Sequence, residues 1–228
     1  MVGETAPWVQ YVTGATVKPY TRSIIELFDG KKRFLIPLYQ RQYAWKAEPQ
    51  LELLWEDILR SVERLGEDRT SLTPHFMGAM VISQIKTFGR QVQAYEIIDG
   101  QQRLTTFQIF ITALRDVAKA NGSRYAAELE KYLVNDGVME KPEVERFKLW
   151  PSLSDRRAFI GIVDPEIDLE LYGSKPIDED GFVRRSVAAH AFFRDKIEAQ
   201  VGKADNFDEH RLELVFEALK EGLAIVSI

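Results

Sequence analysis

Two short stretches bring together residue types that phosphate chemistry uses. The first is Tyr95-Glu96-Ile97-Ile98-Asp99-Gly100-Gln101-Gln102-Arg103-Leu104-Thr105-Thr106. It reads as a strand, a tight turn at Asp99-Gly100 and a helix that opens on Gln-Gln-Arg. The first turn of a helix carries backbone N–H groups without partners and the positive end of the helix dipole, so it attracts anions. Gly100 would let a phosphate approach the backbone. Arg103 offers a fork of donors suited to phosphate oxygens. Asp99 can hold a metal or polarise a water, and Gln101 or Gln102 can orient one. The same residues also have a structural reading, because Asp-Gly is a common turn and Asp, Gln and Arg are common around helix starts. Two consecutive glutamines where capping residues would serve better weigh toward function.

The second stretch is Ile36-Pro37-Leu38-Tyr39-Gln40-Arg41-Gln42-Tyr43-Ala44-Trp45, with three aromatics and an arginine within seven residues. Exposed aromatics beside a cation can stack a base and hold its phosphate. Alternatively, Tyr39, Tyr43 and Trp45 are core or staple residues for the helix that follows, a reading that suits Trp45 best. Gln40 and Arg41 lean toward function. Asp29-Gly30-Lys31-Lys32 resembles a phosphate loop only superficially, and neither a Walker A spacing nor a serine-hydrolase elbow is present. His75, His190 and His210 are too dispersed to suggest one metal site. Arg156-Arg157 and Arg184-Arg185 read as solvated helix faces.

The elements that must position these residues follow from hydrophobic period. Ser23 and Glu26 have capping-box spacing before a short apolar run. Phe34 to Ile36 reads as a strand that Pro37 ends or places at an edge. From Pro49 to Leu65 apolar residues recur every three or four positions, and Gly66 stops the run. Phe76 to Ile85 reads as a buried strand around Val81 and Ile82, and Val92 to Ile98 as another. Leu104 to Val117 is a helix stopped by Asn121-Gly122. Helices are expected at 125–134, at 154–162 with Ser154 as N-cap, at 182–201 and at 208–221, with an extended piece at 146–149. Residues 1–20 read as an irregular arm and 164–181 as a linker or long loop. The apolar ending, Leu223 to Ile228, would make a poor terminus if unpaired, which suggests a chain cut from a longer one. The fold class is α+β, with short strands in the first half and helices dominating the second.

Composition narrows the classes. The 228 residues carry 30 basic and 35 acidic side chains, a net charge of −5, with 45% apolar and 29% charged residues. That is ordinary for a folded domain and excludes disordered, collagenous and coiled-coil chains. The acidic balance excludes nucleic-acid binding by bulk charge, so any phosphate contact must come from local patches. With no cysteine, disulfides, thiolate zinc sites and cysteine nucleophiles are excluded. No stretch approaches the roughly 20 apolar residues of a membrane span, and no signal pattern opens the chain. These features fit a cytoplasmic protein.

Taken as a pair, Ile36-Pro37-x-Tyr39-Gln40-Arg41-x-Tyr43-x-Trp45 and Asp99-Gly100-Gln101-Gln102-Arg103-Leu104-Thr105-Thr106 resemble the N-terminal nucleotide-using domain of GmrSD-type, modification-dependent restriction proteins, a domain shared by phosphorothioate-sensing Ssp-type proteins. His75-Phe76-Met77-Gly78, Arg146 to Pro151 followed by Asp155 and Phe159, and Ala191-Phe192-Phe193 extend the likeness over 24–228. The resemblance implies a small mixed sheet with flanking helices, related to ParB and sulfiredoxin, over 1–122, and a mainly helical continuation over 123–228. It implies hydrolysis of GTP or ATP with Mg²⁺, coupled to recognition of modified double-stranded DNA, and a C-terminal nuclease domain of His-Asn-His type, whose motif is absent from these residues. Asp99, Gln101, Gln102 and Arg103 would then be catalytic, with Asp99 the ligand for Mg²⁺. Arg41, Gly100, Arg103, Leu104 and Thr105 would hold nucleotide, and Tyr39, Gln40, Arg41 and Tyr43 would meet the DNA modification. Two rival readings are a modified-DNA-binding module with weak or no NTPase activity, and a structural adaptor.

Overall fold

The computed structural model describes residues 19–67, 73–172 and 184–228. Residues 1–18 of the expected arm over 1–20 and residues 173–181 of the expected loop over 164–181 lie outside them, as do 68–72. The described residues form a six-stranded mixed sheet and eight α-helices, the α+β class the hydrophobic pattern implies.

Strand β1 (Tyr20–Ser23) runs directly into α1 (Ile24–Phe28), whose start is fixed by the expected capping box. The Ser23 hydroxyl accepts from the Glu26 amide at 3.2 Å, and the Glu26 carboxylate accepts from the Ser23 amide at 2.7 Å. Strand β2 (Lys32–Leu35) follows and stops before Pro37. A single wide turn over Ala47–Leu51 leads into α2 (Glu52–Glu67), whose apolar stripe Leu54, Trp55, Ile58, Val62 and Leu65 is buried as its period predicts. Strands β3 (His75–Ile85) and β4 (Gln93–Asp99) pair antiparallel, and β4 turns at Gly100 into α3 (Gln101–Ala120). Met80 is the fully buried residue of β3, while Val81 and Ile82, expected at the centre of a buried strand, are half-buried.

The second half supplies α4 (Tyr125–Glu130), α5 (Pro142–Glu145), β5 (Leu149–Trp150), α6 (Arg156–Val163), α7 (Arg185–Val201), α8 (Glu209–Glu217) and β6 (Leu223–Ser227). The sheet order is β1-β6-β3-β4-β2-β5. The apolar run 223–227 is therefore neither at an edge nor unpaired, being antiparallel to β1 on one side and parallel to β3 on the other. Nor is β2 an edge strand, since it lies between β4 and β5 with both neighbours parallel. Pro37 lies beyond its end, where a missing donor costs no ladder bond.

Helix α3 is buried nearly all round, as a helix enclosed by others must be. It packs against α7, α4 and α6. Phe110 at its middle meets Trp55 of α2 and Phe193 of α7. This fixes the helix axis, and with it the direction in which the amides of its first turn point. Arg115 is a polar rivet, donating to Asp116, Glu130, the Val163 carbonyl and the Ile162 carbonyl. His190 of α7 also meets Asp116, at 2.8 Å. That histidine is structural, as its apolar setting suggests. Among the described residues no helix is long and apolar enough to cross a membrane, and no group of acids and histidines could hold a metal ion unaided.

Candidate functional site: the cavity at the start of helix α3

The β4–α3 junction needs glycine twice over. Gly100 caps α3 with φ +95°, in the left-handed region, and a Cβ there would lie 2.8 Å from the Met80 Cβ of β3. The glycine expected to admit a phosphate thus also admits strand β3. Beyond it, the amides of Gln101, Gln102 and Arg103 have no intrahelical acceptor. The Leu104 amide already donates to the Gly100 carbonyl at 3.0 Å, and the Leu104 and Thr105 side chains are buried. Nucleotide contacts expected at Leu104 and Thr105 do not fit these surroundings, because a helix exposes only its first three or four amides.

These amides open on a cavity of about 240 Å³ lined by Gln40, Arg41, Trp45, Asp99, Gly100, Gln101, Gln102 and Arg103. The two motifs therefore meet in space, although about sixty residues separate them. The glutamines join them. Gln101 Nε2 donates to the Arg41 carbonyl at 3.1 Å, and Gln102 Nε2 donates to the Gln42 carbonyl at 3.1 Å. Gln102 Oε1 accepts from the Ala44 amide at 2.8 Å, so both ends of that side chain clamp the 40–45 segment. The water-orienting role expected for Gln102 would have to use the one proton and one lone pair that this clamp leaves. Gln101 differs, because its buried Oε1 has no partner.

Tyr43 closes the joint from below. It is 4% exposed, and its hydroxyl lies 2.9 Å from Thr106 Oγ1, whose own proton goes to the Gln102 carbonyl. Burial raises the phenol well above its ordinary range, against the bond to Thr106, so it stays protonated. The ring expected to meet DNA is a core residue, the structural alternative for these aromatics. Trp45 is half-buried, packs on the core and lines the cavity wall.

One anchor was not placed at the site by residue chemistry. Asp155, at the N-terminus of α6, accepts the Tyr43 amide at 2.7 Å and the Ser152 hydroxyl at 2.8 Å. The structure makes Asp155, not Ser154, the N-cap residue of α6, and its side chain leaves its own helix to hold the 40–45 segment. The spacing Ser152-x-x-Asp155 is the only local signal, and it does not reveal a partner 112 residues away. Next to it, Arg156 is no solvated face: it lies 4.5 Å over the Trp150 ring with a buried, unpartnered Nε. Arg157 is likewise engaged, with Glu170 at 2.8 Å.

The charged groups lie on the remaining wall. Arg103 donates to the Ala79 carbonyl and packs against Gly78, where a Cβ would lie 3.1 Å from the guanidinium carbon. Among the described residues, neither Arg103 nor Arg41 has a carboxylate partner within 4.0 Å. Asp99 is exposed on the same wall. Among the described residues it is the one carboxylate lining the cavity, so a Mg²⁺ there would need waters or a ligand's oxygens to complete its six positions. Outside the cavity mouth, Leu38 and Tyr39 occupy the tip of a turn closed by Gln40 N–H on the Pro37 carbonyl at 3.1 Å. Tyr39 is 74% exposed, and the Gln40 side chain ties this turn to the carbonyl of exposed Ile98 at 3.0 Å. An apolar lip with one aromatic ring thus borders a polar, net-positive cavity.

A comparison with curated proteins gives no match. A family model, the GmrSD restriction endonuclease N-terminal domain, matches residues 24–227 and so includes both motifs, the Asp155 anchor and the central strand β6. With that span, the chain belongs to the family of GmrSD restriction endonuclease N-terminal domains, and DNA is the substrate of the enzymes that carry it.

Proposed function

We propose that this domain binds a nucleoside triphosphate by its phosphates at the start of α3 and couples its hydrolysis to recognition of modified double-stranded DNA, for cleavage by a nuclease domain. The observation that carries the reading is the convergence of three partnerless amides, Arg103 and Arg41 on one cavity. At about 240 Å³ the cavity is smaller than the roughly 300–1,000 Å³ that enclose a whole drug-sized ligand. It suits a phosphate chain, with the base lying outside against the lip. Arg103, steadied by the Ala79 carbonyl, would meet charge developing in phosphoryl transfer. Asp99 would hold Mg²⁺, which adds charge neutralisation on the phosphates. Gln101 has an unpartnered Oε1, buried as it stands, that would orient an attacking water once turned toward the cavity. Tyr39, Gln40 and Arg41 remain as the residues that would touch DNA.

The test is hydrolysis of GTP and ATP with Mg²⁺ by the wild-type chain and by Arg103→Ala. The variant should keep its fold and lose turnover by about 10²-fold or more. Equal rates in both, or no hydrolysis by the wild type in the presence of modified duplex, would overturn the enzymatic reading. One observation favours the second reading, a binding module without hydrolysis: Gln102 is a clamp, which leaves one glutamine for water. Under that reading Tyr39→Ala lowers affinity for modified duplex while nucleotide turnover is absent throughout.

A further inference from the structure

We propose that the cavity between the α1–β2 turn, α4 and the approach to β5 is a second ligand site, for a small phosphate ester that carries free hydroxyl groups. The cavity measures about 360 Å³ and is lined in part by Asp29, Gly30, Lys31, Asn135, Asp136 and Lys148. It lies at the opposite end of the sheet from the α3 cavity. Strands β2 and β4 run parallel from the Lys32–Gln93 pair, and the first cavity begins where β4 ends, at Asp99.

The reason is an imbalance of hydrogen-bonding groups. Lys148 is 2% exposed, yet its ammonium donates to the Gly30 carbonyl alone and has no carboxylate within 4.0 Å among the described residues. A buried charge is ordinarily paired. Beside it, Lys31 donates to the Val138 carbonyl at 2.7 Å and Lys32 to the Glu26 carbonyl at 3.2 Å. Each ammonium has three protons, so Lys31 and Lys148 keep unused donors on the cavity wall, with the charge of Lys32 close behind. Acceptors are in surplus as well. The side chains of Asp29 and Asp136 have no hydrogen bond or ion pair among the described residues. Asn135 is buried, uses both Nδ2 protons on the Lys32 and Glu145 carbonyls at 3.0 and 2.8 Å, and leaves Oδ1 without a partner. The remaining charges on the wall are already matched: Glu130 pairs with Arg115 at 2.8 Å and Lys131 with Glu128 at 2.6 Å.

A ligand that completes this set needs an anionic group for the lysines and hydroxyl donors for the two carboxylates and the amide oxygen. A sugar phosphate has both and is small enough to enter. Lys148 lies too deep for the backbone of a duplex to reach. In the empty cavity burial first, and then the charge of Lys32, lower the Lys148 ammonium to about 8, while Asp29 and Asp136 oppose that shift. An anion beside it favours the charged form, so binding above pH 8 takes up a proton.

The probe is ribose 5-phosphate, measured by calorimetry on the whole chain, with inorganic phosphate and ribose as its separate halves. Ribose 5-phosphate should bind at least tenfold more tightly than either half, and at pH 9 its heat should depend on the buffer's ionisation enthalpy in the sense of proton uptake. Lys148→Met should weaken it at least tenfold. Asp136→Ala, at an exposed position, should weaken ribose 5-phosphate and leave inorganic phosphate unaffected. Arg103→Ala should change nothing, since that residue belongs to the other cavity. No binding to wild type, equal affinity for inorganic phosphate, indifference to both Lys148→Met and Asp136→Ala, or loss in Arg103→Ala would each overturn the proposal.

Discussion

Gln102 shows how far residue type alone reaches. Its amide uses both ends, donating to the Gln42 carbonyl and accepting from the Ala44 amide. Truncation would leave two backbone groups of the 40–45 segment without partners in a partly buried place. Gln102→Ala should therefore destabilise the domain by about 1–3 kcal/mol, read as a lower denaturant midpoint with an unchanged slope. That two glutamines at a helix start serve some purpose is legible from the sequence, because capping residues would otherwise stand there. Which purpose is not legible, because their partners are carbonyl oxygens of a segment sixty residues away, and carbonyls have no residue signature. Tyr43 illustrates the same limit from the other side. An aromatic beside an arginine can be reader or core, and only the hydroxyl of Thr106 and the closure by Asp155 decide for core. The helix start that carries Arg103 is legible in the same way, whereas its hold on the Ala79 carbonyl of β3 is not, since that partner too is a backbone oxygen.

At the scale of elements, α6 acts on the α3 cavity without lining it. Asp155 holds the Tyr43 amide at 2.7 Å from a helix that belongs to the second half of the chain. Asp155→Ala should raise the hydrogen-exchange rate of the Tyr43 amide by about 10- to 100-fold, the equivalent of one lost charge-assisted bond. Asp155→Asn keeps an acceptor and should restore most of the protection. Exchange unchanged in the alanine variant would show that the glutamine clamps suffice alone. The elements themselves were well marked. Period gave α2 and α3 within a few residues of the observed ends, and Asn121-Gly122 marked the stop of α3, whereas α2 runs through Gly66 to Glu67. The N-cap of α6 was misplaced by one residue because Ser154 and Asp155 are equally good capping types, and Ser154 bonds with Ser152 instead, at 3.2 Å. Partners of strands were not marked at all. An apolar run such as 223–227 is equally at home at an edge or at the centre of a sheet, and its neighbours β1 and β3 are distant in sequence.

For the whole molecule, Lys148 makes stability depend on alkaline pH. Burial, and then Lys32, lower its folded pKa to about 8 from the ordinary lysine value of 10.5. Below about pH 8 both the folded and the unfolded chain carry the charge, and the fold bears the full cost of burying it. Between pH 8 and 10.5 the unfolded chain binds more protons than the folded one, so stability should rise with pH across that window. The gain should be on the order of 1–3 kcal/mol, and comparison of Lys148→Met with wild type by denaturant melts at pH 7 and pH 10 isolates it. The variant should lack this gain, although other lysines and tyrosines titrate in both.

The arrangement of β1 and β6 sets an order on biosynthesis. Among the described residues, β1 has one sheet neighbour, and it comes 207 residues later, where Ser227 bonds back to the Tyr20 carbonyl. At the ribosome's pace of about 5–20 residues per second, β1 waits roughly ten to forty seconds for that neighbour to leave the exit tunnel. From the time β3 is made, one of its edges is open as well, so a nascent chain of this family presents two unpaired strands to chaperones and to mispairing until β6 arrives.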